Sequence, residues 1–394
     1  MTGAGVRGVR RRRAALAGVL LATLAACTTP EPAPSPAPSP APSHAPSPGP
    51  FPATPSEPLT SDEPPVPGGD PRPLRVAFVG DVHFEGVLAD RLRDPGTALA
   101  PVSEALSAAD LTIANLETSL GTGGRPEPGK RFVFSAGPEA LAALAAAGVD
   151  VATMANNHAL DYGRGRLPST FRAIRDAARA DPPLEVVGIG RDVDQAFAPA
   201  FRDVRGTLVA TIGASVSDQD PTADPTGRWA ATDDRPGVAD AIDPSRLLGE
   251  VRRTRRTADV VVVYLHWGIQ RQRCPSADQR SLATSLVDAG ADVVVGSHAH
   301  RLQGDGRLRN GYVAYGLGNY AWYSPGDAAT SRTGVFRLTI RPRATDRRPP
   351  AVVRAEWVPQ RIGADGLAAR ATPQDAADFR ADRQSLRACS GLEP

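Results

Sequence analysis

Five short apolar runs in this chain each end on side chains that bind metal ions, and that pattern limits the fold more than any other feature. Arg75–Gly80 ends on Asp81-Val82-His83, Leu111–Ala114 on Asn115-Leu116-Glu117, and Val151–Ala155 on Asn156-Asn157-His158. Val260–Leu265 ends on His266-Trp267-Gly268, and Val293–Val295 on Gly296-Ser297-His298-Ala299-His300. Valine-rich runs of this length read as strands buried on both faces. In open α/β sheets, ligands bind beyond the carboxyl ends of the strands, which is where these side chains fall. His298 and His300 alternate along an extended segment and so point the same way. The chain has six histidines, and all except His44 lie at these tips. Packing does not explain such a distribution; a metal centre does.

The candidate ligands are Asp81, His83, Glu117, Asn157, His266, His298 and His300, with Asn115 and Asn156 in reserve. They are too many for one zinc, which takes three or four ligands. They suit two divalent ions sharing a bridging carboxylate, an arrangement that activates water. Imidazole mixed with carboxylate and amide oxygen suits Mn, Fe or Zn and is too nitrogen-rich for calcium or magnesium. Asp110, Asp150, Asp259 and Asp292 begin strands, so they belong at the far end of the sheet as caps or turns. Arg125 and Lys130 flank a glycine-bearing loop, where a solvated role is favoured over attraction of an anionic substrate. Trp267 and Tyr320 read equally as core aromatics or substrate contacts. Asn319 fits either a site-lining position or a turn.

The first 73 residues stand outside this scheme. Arg7 and Arg10–Arg13 precede an apolar stretch, Ala14–Ala26, too short to stay as a membrane span. It closes on Leu24-Ala25-Ala26-Cys27, which resembles the lipobox of bacterial lipoproteins; that resemblance implies cleavage and a lipid on Cys27, anchoring the chain without spanning the membrane. Thr28–Pro73 holds 18 of the 39 prolines and cannot form a core, so residues 28–73 read as a disordered tether. In polyproline II form its reach would be on the order of 140 Å. His44 lies in it and is expected to be inert. Residues 74–394 suffice for one large α/β domain, or one plus a small appendage. A net charge of +2 gives no sign of a nucleic-acid partner, and none is expected. Cys274 and Cys389 are the remaining thiols, and in an exported chain their pairing is left open.

Helices are expected over Thr97–Ala109, from Pro138 to Gly148, and over Leu167–Ala180, Pro244–Thr254 and Ala277–Ala289. Ser215–Asp243 is the longest irregular insertion. The last strands, Tyr312–Gly316, Gly334–Ile340 and Val352–Val358, follow one another directly and imply antiparallel pairing. The whole suggests a mixed sheet in an α/β domain or a two-sheet sandwich, with the final forty residues as a covering helix.

Asp-x-His, then Asn-His, then a His, then His-x-His is an order that resembles the calcineurin-like metallophosphoesterases. The wording Gly80-Asp81, Asn115-Leu116-Glu117, Met154–Gly163, His266-Trp267-Gly268, Gly296–His300 and Tyr315–Tyr320 is closer still to the CapA family, associated with bacterial poly-γ-glutamate capsule synthesis. The resemblance implies a calcineurin-like two-sheet α/β sandwich with flanking helices. It implies one ion on Asp81, His83 and His300, a second on Asn157, His266 and His298, and His158 as proton donor. Two departures stand out: Glu117 substitutes for the bridging aspartate, and Ala159 occupies the place of the acid after His158, leaving Asp161 as the nearest carboxylate. The expected function is that of a lipid-anchored, extracytoplasmic two-metal hydrolase or transferase. It would act in synthesis or anchoring of poly-γ-glutamate or a related capsule polymer, beside membrane synthase partners. The alternatives are a non-catalytic, metal-dependent polymer-binding module and a phosphodiesterase or phosphatase.

Overall fold

Strands apolar on both faces need a layer on each side, and the chain supplies both. The computed structural model describes residues 72–216, 227–324, 326–343 and 349–394; Cys27, His44 and the tether lie outside them. In chain order the main elements begin β1 (Leu74–Val82), α1 (Ala100–Leu106), β2 (Leu111–Leu116), α2 (Glu139–Ala146), β3 (Val151–Thr153), α3 (Leu167–Ala177) and β4 (Glu185–Val187). Then come β5 (Ala200–Val204), β6 (Thr207–Val216), α4 (Ser245–Thr254), β7 (Val260–Trp267), α5 (Ala277–Ala289) and β8 (Val293–His298). The last are β9 (Asp305–Leu308), β10 (Gly311–Ala314), β11 (Asn319–Ala321), β12 (Arg332–Arg341), β13 (Ala351–Ile362), β14 (Ala368–Arg370) and α6 (Pro373–Ala388).

One sheet runs β14-β13-β12-β1-β2-β3-β4 with β11 beside β1, and the other runs β9-β10-β8-β7-β6-β5. The two face each other, so the sandwich, and not a single mixed sheet, is what forms. Alternation along β1 shows why its run is continuously apolar. Val76 and Phe78 enter the core between the sheets with Ile113, Val262, Tyr264 and Val295. Ala77 and Val79 face outward into a second core with Val102, Leu106, Leu141 and Leu144 of α1 and α2. On the other side, Val261, Val263 and Val294 meet Leu247 and Val251 of α4 and Leu282 and Leu286 of α5. Each such valine, leucine, isoleucine or phenylalanine contributes roughly 1.5–3 kcal/mol on burial.

The ends of the elements are set locally. Ser276 and Gln279 form a capping box at the start of α5, and Gly290 closes it at φ +114°. The first helix is shorter than expected, Ala100–Leu106, and follows a 3₁₀ segment, Gly86–Arg93. β4 ends just before Gly188 (φ +86°), where an added Cβ would stand 2.7 Å from the Ala155 nitrogen.

The strand-starting aspartates do cap, but across strands. Asp110 accepts the Arg75 N–H at 2.7 Å, Asp150 that of Thr112 at 2.8 Å, Asp259 that of Leu208 at 2.9 Å and Asp292 that of Val261 at 2.7 Å. Each satisfies the amide that opens the neighbouring strand. The C-terminal helix packs against β13 of the first sheet and β9 of the second, with Phe379 against Trp357 at 5.3 Å and Arg383 and Arg387 on the buried Asp305. Cys274 and Cys389 are disulfide-bonded, tying the segment after β7 to the end of α6. No helix among the described residues is long and apolar enough to cross a membrane.

Candidate metal centre

Parallel register brings the strand tips into rows. Asp81 lies opposite Asn115 and Asn115 opposite Thr153; in the other sheet His266 lies opposite Ser297 and Trp267 opposite His298. The sheets are fastened near these ends by the Tyr264 hydroxyl, which donates to the Val79 carbonyl at 2.8 Å. Gly80 is required there: a Cβ would stand 1.8 Å from the Gly318 carbonyl oxygen. The His298 N–H then donates to Asp81 Oδ2 at 3.2 Å, across the two sheets.

Two groups of three ligand-type side chains result, each with its ligand atoms within 4.8 Å of one another: Glu117, His266 and His298, and Asp81, Glu117 and His300. Glu117 belongs to both. It is fully buried, and neither carboxylate oxygen has a hydrogen-bond partner. His266 Nε2 lies 3.5 Å from Glu117 Oε1, and His300 Nδ1 lies 3.3 Å from Asp81 Oδ2. His298 Nδ1 faces His266 Nε2 at 3.0 Å, while its buried Nε2 has no partner. Asn157 Oδ1 is 2.6 Å from His266 Nε2. A buried carboxylate with no donors is costly, and so is an imidazole nitrogen aimed at nothing. Shared by two groups of nitrogen and oxygen donors, Glu117 fits a cation site of the kind transition metals prefer.

The electrostatics agree. Burial, then the like charge of Asp81, pushes the Glu117 pKa well above its ordinary value. Burial works the same way on Asp81, but a hydrogen bond with His300 and the charges of His266 and His300 outweigh it and hold that carboxyl below its usual range. Burial depresses His266 to about 4 and pushes His298 well down. For His300 burial is outweighed by the Glu117 and Asp81 carboxylates, and its pKa rises.

Beside these groups stands His158. Its Nδ1 is 2.6 Å from Asp161 Oδ2 and its Nε2 3.6 Å from Glu117 Oε1. Asp161 is buried, which lifts its pKa to about 7 against the pull of Lys130. The carboxylate expected directly after His158 is thus supplied one turn later. Phe134 stacks on the His158 ring at 4.0 Å and 12°, and its N–H donates to Asp161 Oδ2 at 2.6 Å. Lys130 donates to Asp161 Oδ1 and to the Asn157 carbonyl, with the ammonium 4.6 Å over the Trp229 ring.

His83 stands apart from both groups. Its ring is stacked on Phe134 at 4.6 Å and edged by Trp322 at 4.3 Å. Its Nδ1 and Nε2 face the N–H groups of Glu85 and Tyr323 at 3.0 and 3.2 Å. Asn115 and Asn156 act as fasteners: Asn115 donates to Asp81 Oδ1 at 2.8 Å, and Asn156 donates to Asn115 Oδ1 at 3.0 Å. Asn319 lines the centre, with Oδ1 2.8 Å from His300 Nδ1. Trp267 and Tyr320 are core residues, both 1% exposed. Arg125 is exposed, as read from sequence. Lys130 corrects its sequence reading: its side chain is 2% exposed and lies inside the site, because Trp229, distant in sequence, closes over it. One signal pointed there: of the chain's 45 basic residues, Lys130 is the one lysine. Phe134 and Trp322 carried no signal of their own.

A family model described as bacterial capsule synthesis protein PGA_cap matches residues 75–323. The chain is 29% identical over 290 residues to the capsule biosynthesis protein CapA of Bacillus anthracis, covering 71% of this chain and 67% of that one. It is 28% identical over 304 residues to the PGA biosynthesis protein CapA of Bacillus subtilis strain 168, covering 73% and 76%. It is also similar to a probable polyglutamine synthesis accessory protein of Mycobacterium tuberculosis, at 28% identity over 68% of this chain and 69% of that one. Among solved structures, a crystal structure of a novel phosphatase from Mycoplasma pneumoniae matches at 12% identity and a TM-score of 0.41, covering 78% of this chain and 97% of that one. The family match spans β1 through the aromatic pair Trp322-Tyr323 and takes in every ligand-type residue of the two groups. The chain belongs to the bacterial capsule synthesis protein PGA_cap family.

Proposed function

We propose that this chain is a metal-dependent hydrolase or transferase of the cell envelope, acting on poly-γ-glutamate or a related anionic capsule polymer or its precursor. Its relatives' names, a capsule biosynthesis protein and a PGA biosynthesis protein, support the polymer. The observation that carries the catalytic part is Glu117, buried without a donor between two groups of ligand-type side chains and 3.6 Å from His158. Asp81, Glu117 and His300 would hold one ion; Glu117, His266 and His298, with Asn157 alongside, a second. Bound there, Mn, Fe or Zn would supply Lewis acidity and a lowered pKa for water. His158 takes up and gives a proton at Nε2, the ring nitrogen turned toward Glu117, while Nδ1 stays on Asp161. Asn115 and Asn156 keep Asp81 and the 156–158 segment in place.

The lipobox-like ending at Cys27 supports attachment to the outer face of the membrane through lipid. A second reading, a polymer-binding module without turnover, is separated by experiment. The full chain and His158→Ala are compared for metal content, polyglutamate binding, and turnover of γ-glutamyl oligomers and model phosphodiesters. We expect the variant to keep metal and binding and to lose ~10²–10⁴-fold in turnover. Tight binding with no turnover by the metal-loaded wild type would favour the binding module. Turnover of phosphodiesters alone would favour a phosphodiesterase.

A further inference from the structure

Arginine is the default cation of this chain, and the lone lysine is buried against the candidate centre. That contrast sets the question of what an ammonium does there that a guanidinium would not. We propose that Lys130 is the positioning residue of His158: it locks Asp161 and the Asn157 carbonyl together, so that the imidazole keeps its Nδ1–H on Asp161 and presents Nε2 to Glu117. The inference rests on the reading of His158 as the proton carrier.

The geometry leaves Asp161 little freedom. Oδ1 receives the Lys130 ammonium, and Oδ2 receives the Phe134 N–H at 2.6 Å while facing His158 Nδ1 at 2.6 Å. The ring plane of His158 is fixed by the Phe134 stack, and its backbone N–H donates to Asn156 Oδ1 at 3.0 Å. The Lys130 ammonium also stands 3.4 Å from His158 Nδ1, but the 2.6 Å contact with Asp161 Oδ2 is the shorter, and with ring plane and carboxylate both fixed it makes Nδ1 the donor to Asp161. Nε2 is then left as the acceptor, 3.6 Å from Glu117 Oε1.

Without the ammonium, Asp161 loses a charge-assisted partner and can turn away, and the imidazole is free to exchange its tautomers. Lys130 also contacts the carbonyl of Asn157, so one side chain ties the 121–134 loop to the tip beyond β3. A compact ammonium with three donors fits between two oxygens and the Trp229 face. The flat, wider fork of arginine does not place its donors that way.

The test uses the full chain, zinc-loaded and labelled with ¹⁵N in histidine and in the lysine side chain. In the wild type we expect His158 as the Nδ1–H tautomer and a single, exchange-protected lysine Nζ signal that shifts in Asp161→Asn. In Lys130→Met we expect mixed tautomers and unchanged zinc. On γ-glutamyl oligomers kcat should fall ~10²-fold with KM within about threefold. Lys130→Arg should fail to restore the tautomer, and ethylammonium should recover Lys130→Ala by about tenfold in kcat. A Lys130→Met chain with the wild-type tautomer and wild-type kcat overturns the proposal. If the lysine variants do not fold, a Nζ signal that exchanges freely with water and ignores Asp161→Asn overturns it just as well. A wild type without turnover whose His158 tautomer still depends on Lys130 would sink the enzymatic reading and leave this inference standing.

Discussion

Glu117 is the side chain in which the cost and the use of the site are most concentrated. It is buried, both of its oxygens lack donors, and Asp81 adds a like charge nearby. A buried carboxylate without donors destabilises the metal-free fold, and in the proposed two-ion site it would be shared by both groups. Glu117→Gln should therefore stabilise the chelated chain by about 1–3 kcal/mol, read from denaturant midpoints, while lowering its metal content. The pH dependence has a definite sign. Because the folded pKa is raised, the folded state holds the proton longer, and metal-free stability falls as pH rises above the ordinary value of 4.5 toward the raised one. Melting temperature of the chelated wild type should drop more steeply over that window than that of Glu117→Gln; parallel curves would contradict the assignment. At this scale the sequence was legible where a residue type and a strand end coincide, as at Asp81, Glu117, His266, His298 and His300. It was not legible at Lys130, whose loop of glycine and proline reads as solvated until Trp229 is seen to cover it. Nor was it legible at His83, where neighbours from Phe134 and the Trp322-Tyr323 pair decide which way the ring faces.

The secondary elements show the same division between local and distant information. A helix near Ala277–Ala289 was readable, and its ends are set locally, by a capping box and a closing glycine. The choice between one mixed sheet and two facing sheets was not readable from the local pattern, which left both open, and came only from the family resemblance, since it depends on which strands pair across long separations. The strand-starting aspartates were read as caps, but their true partners are amides of neighbouring strands, and register is absent from a local pattern. The latch on the C-terminal helix belongs to this level too. Asp305 is 1% exposed and holds Arg383 at 2.5 Å, Arg387 at 2.9 Å and the Tyr312 hydroxyl at 2.8 Å. Burial opposes its ionisation, but the two guanidinium groups prevail and its pKa is lowered. Its contribution is therefore present above the ordinary value of 3.8 and lost as pH falls through the lowered one. Asp305→Ala should cost about 3 kcal/mol in urea unfolding near neutral pH, because two part-buried arginines lose their partner. Metal content should not change, as the partners of Asp305 are Arg383, Arg387 and Tyr312 and none of them belongs to the two ligand groups; a loss of metal would show that α6 supports the centre.

For the molecule as a whole, the anchor and the centre are separate claims. If lipid on Cys27 attaches the chain, Cys27→Ser should move it from the membrane fraction to the soluble fraction or stall its maturation; undiminished membrane retention would refute the anchor. The pairing of Cys274 with Cys389 was left open by sequence for a plain reason: 115 residues separate them, and only the docking of α6 brings them together. The gathering of ligand-type side chains was legible because one physical rule, ligands beyond the carboxyl ends of strands, applies to five tips at once. Its direct test is elemental analysis of the purified full chain beside the double variant His298→Ala/His300→Ala, which removes one ligand from each group. We predict about two transition-metal ions per wild-type chain and almost none in the folded variant. A wild type without metal, or a variant that keeps its full complement, would contradict the account.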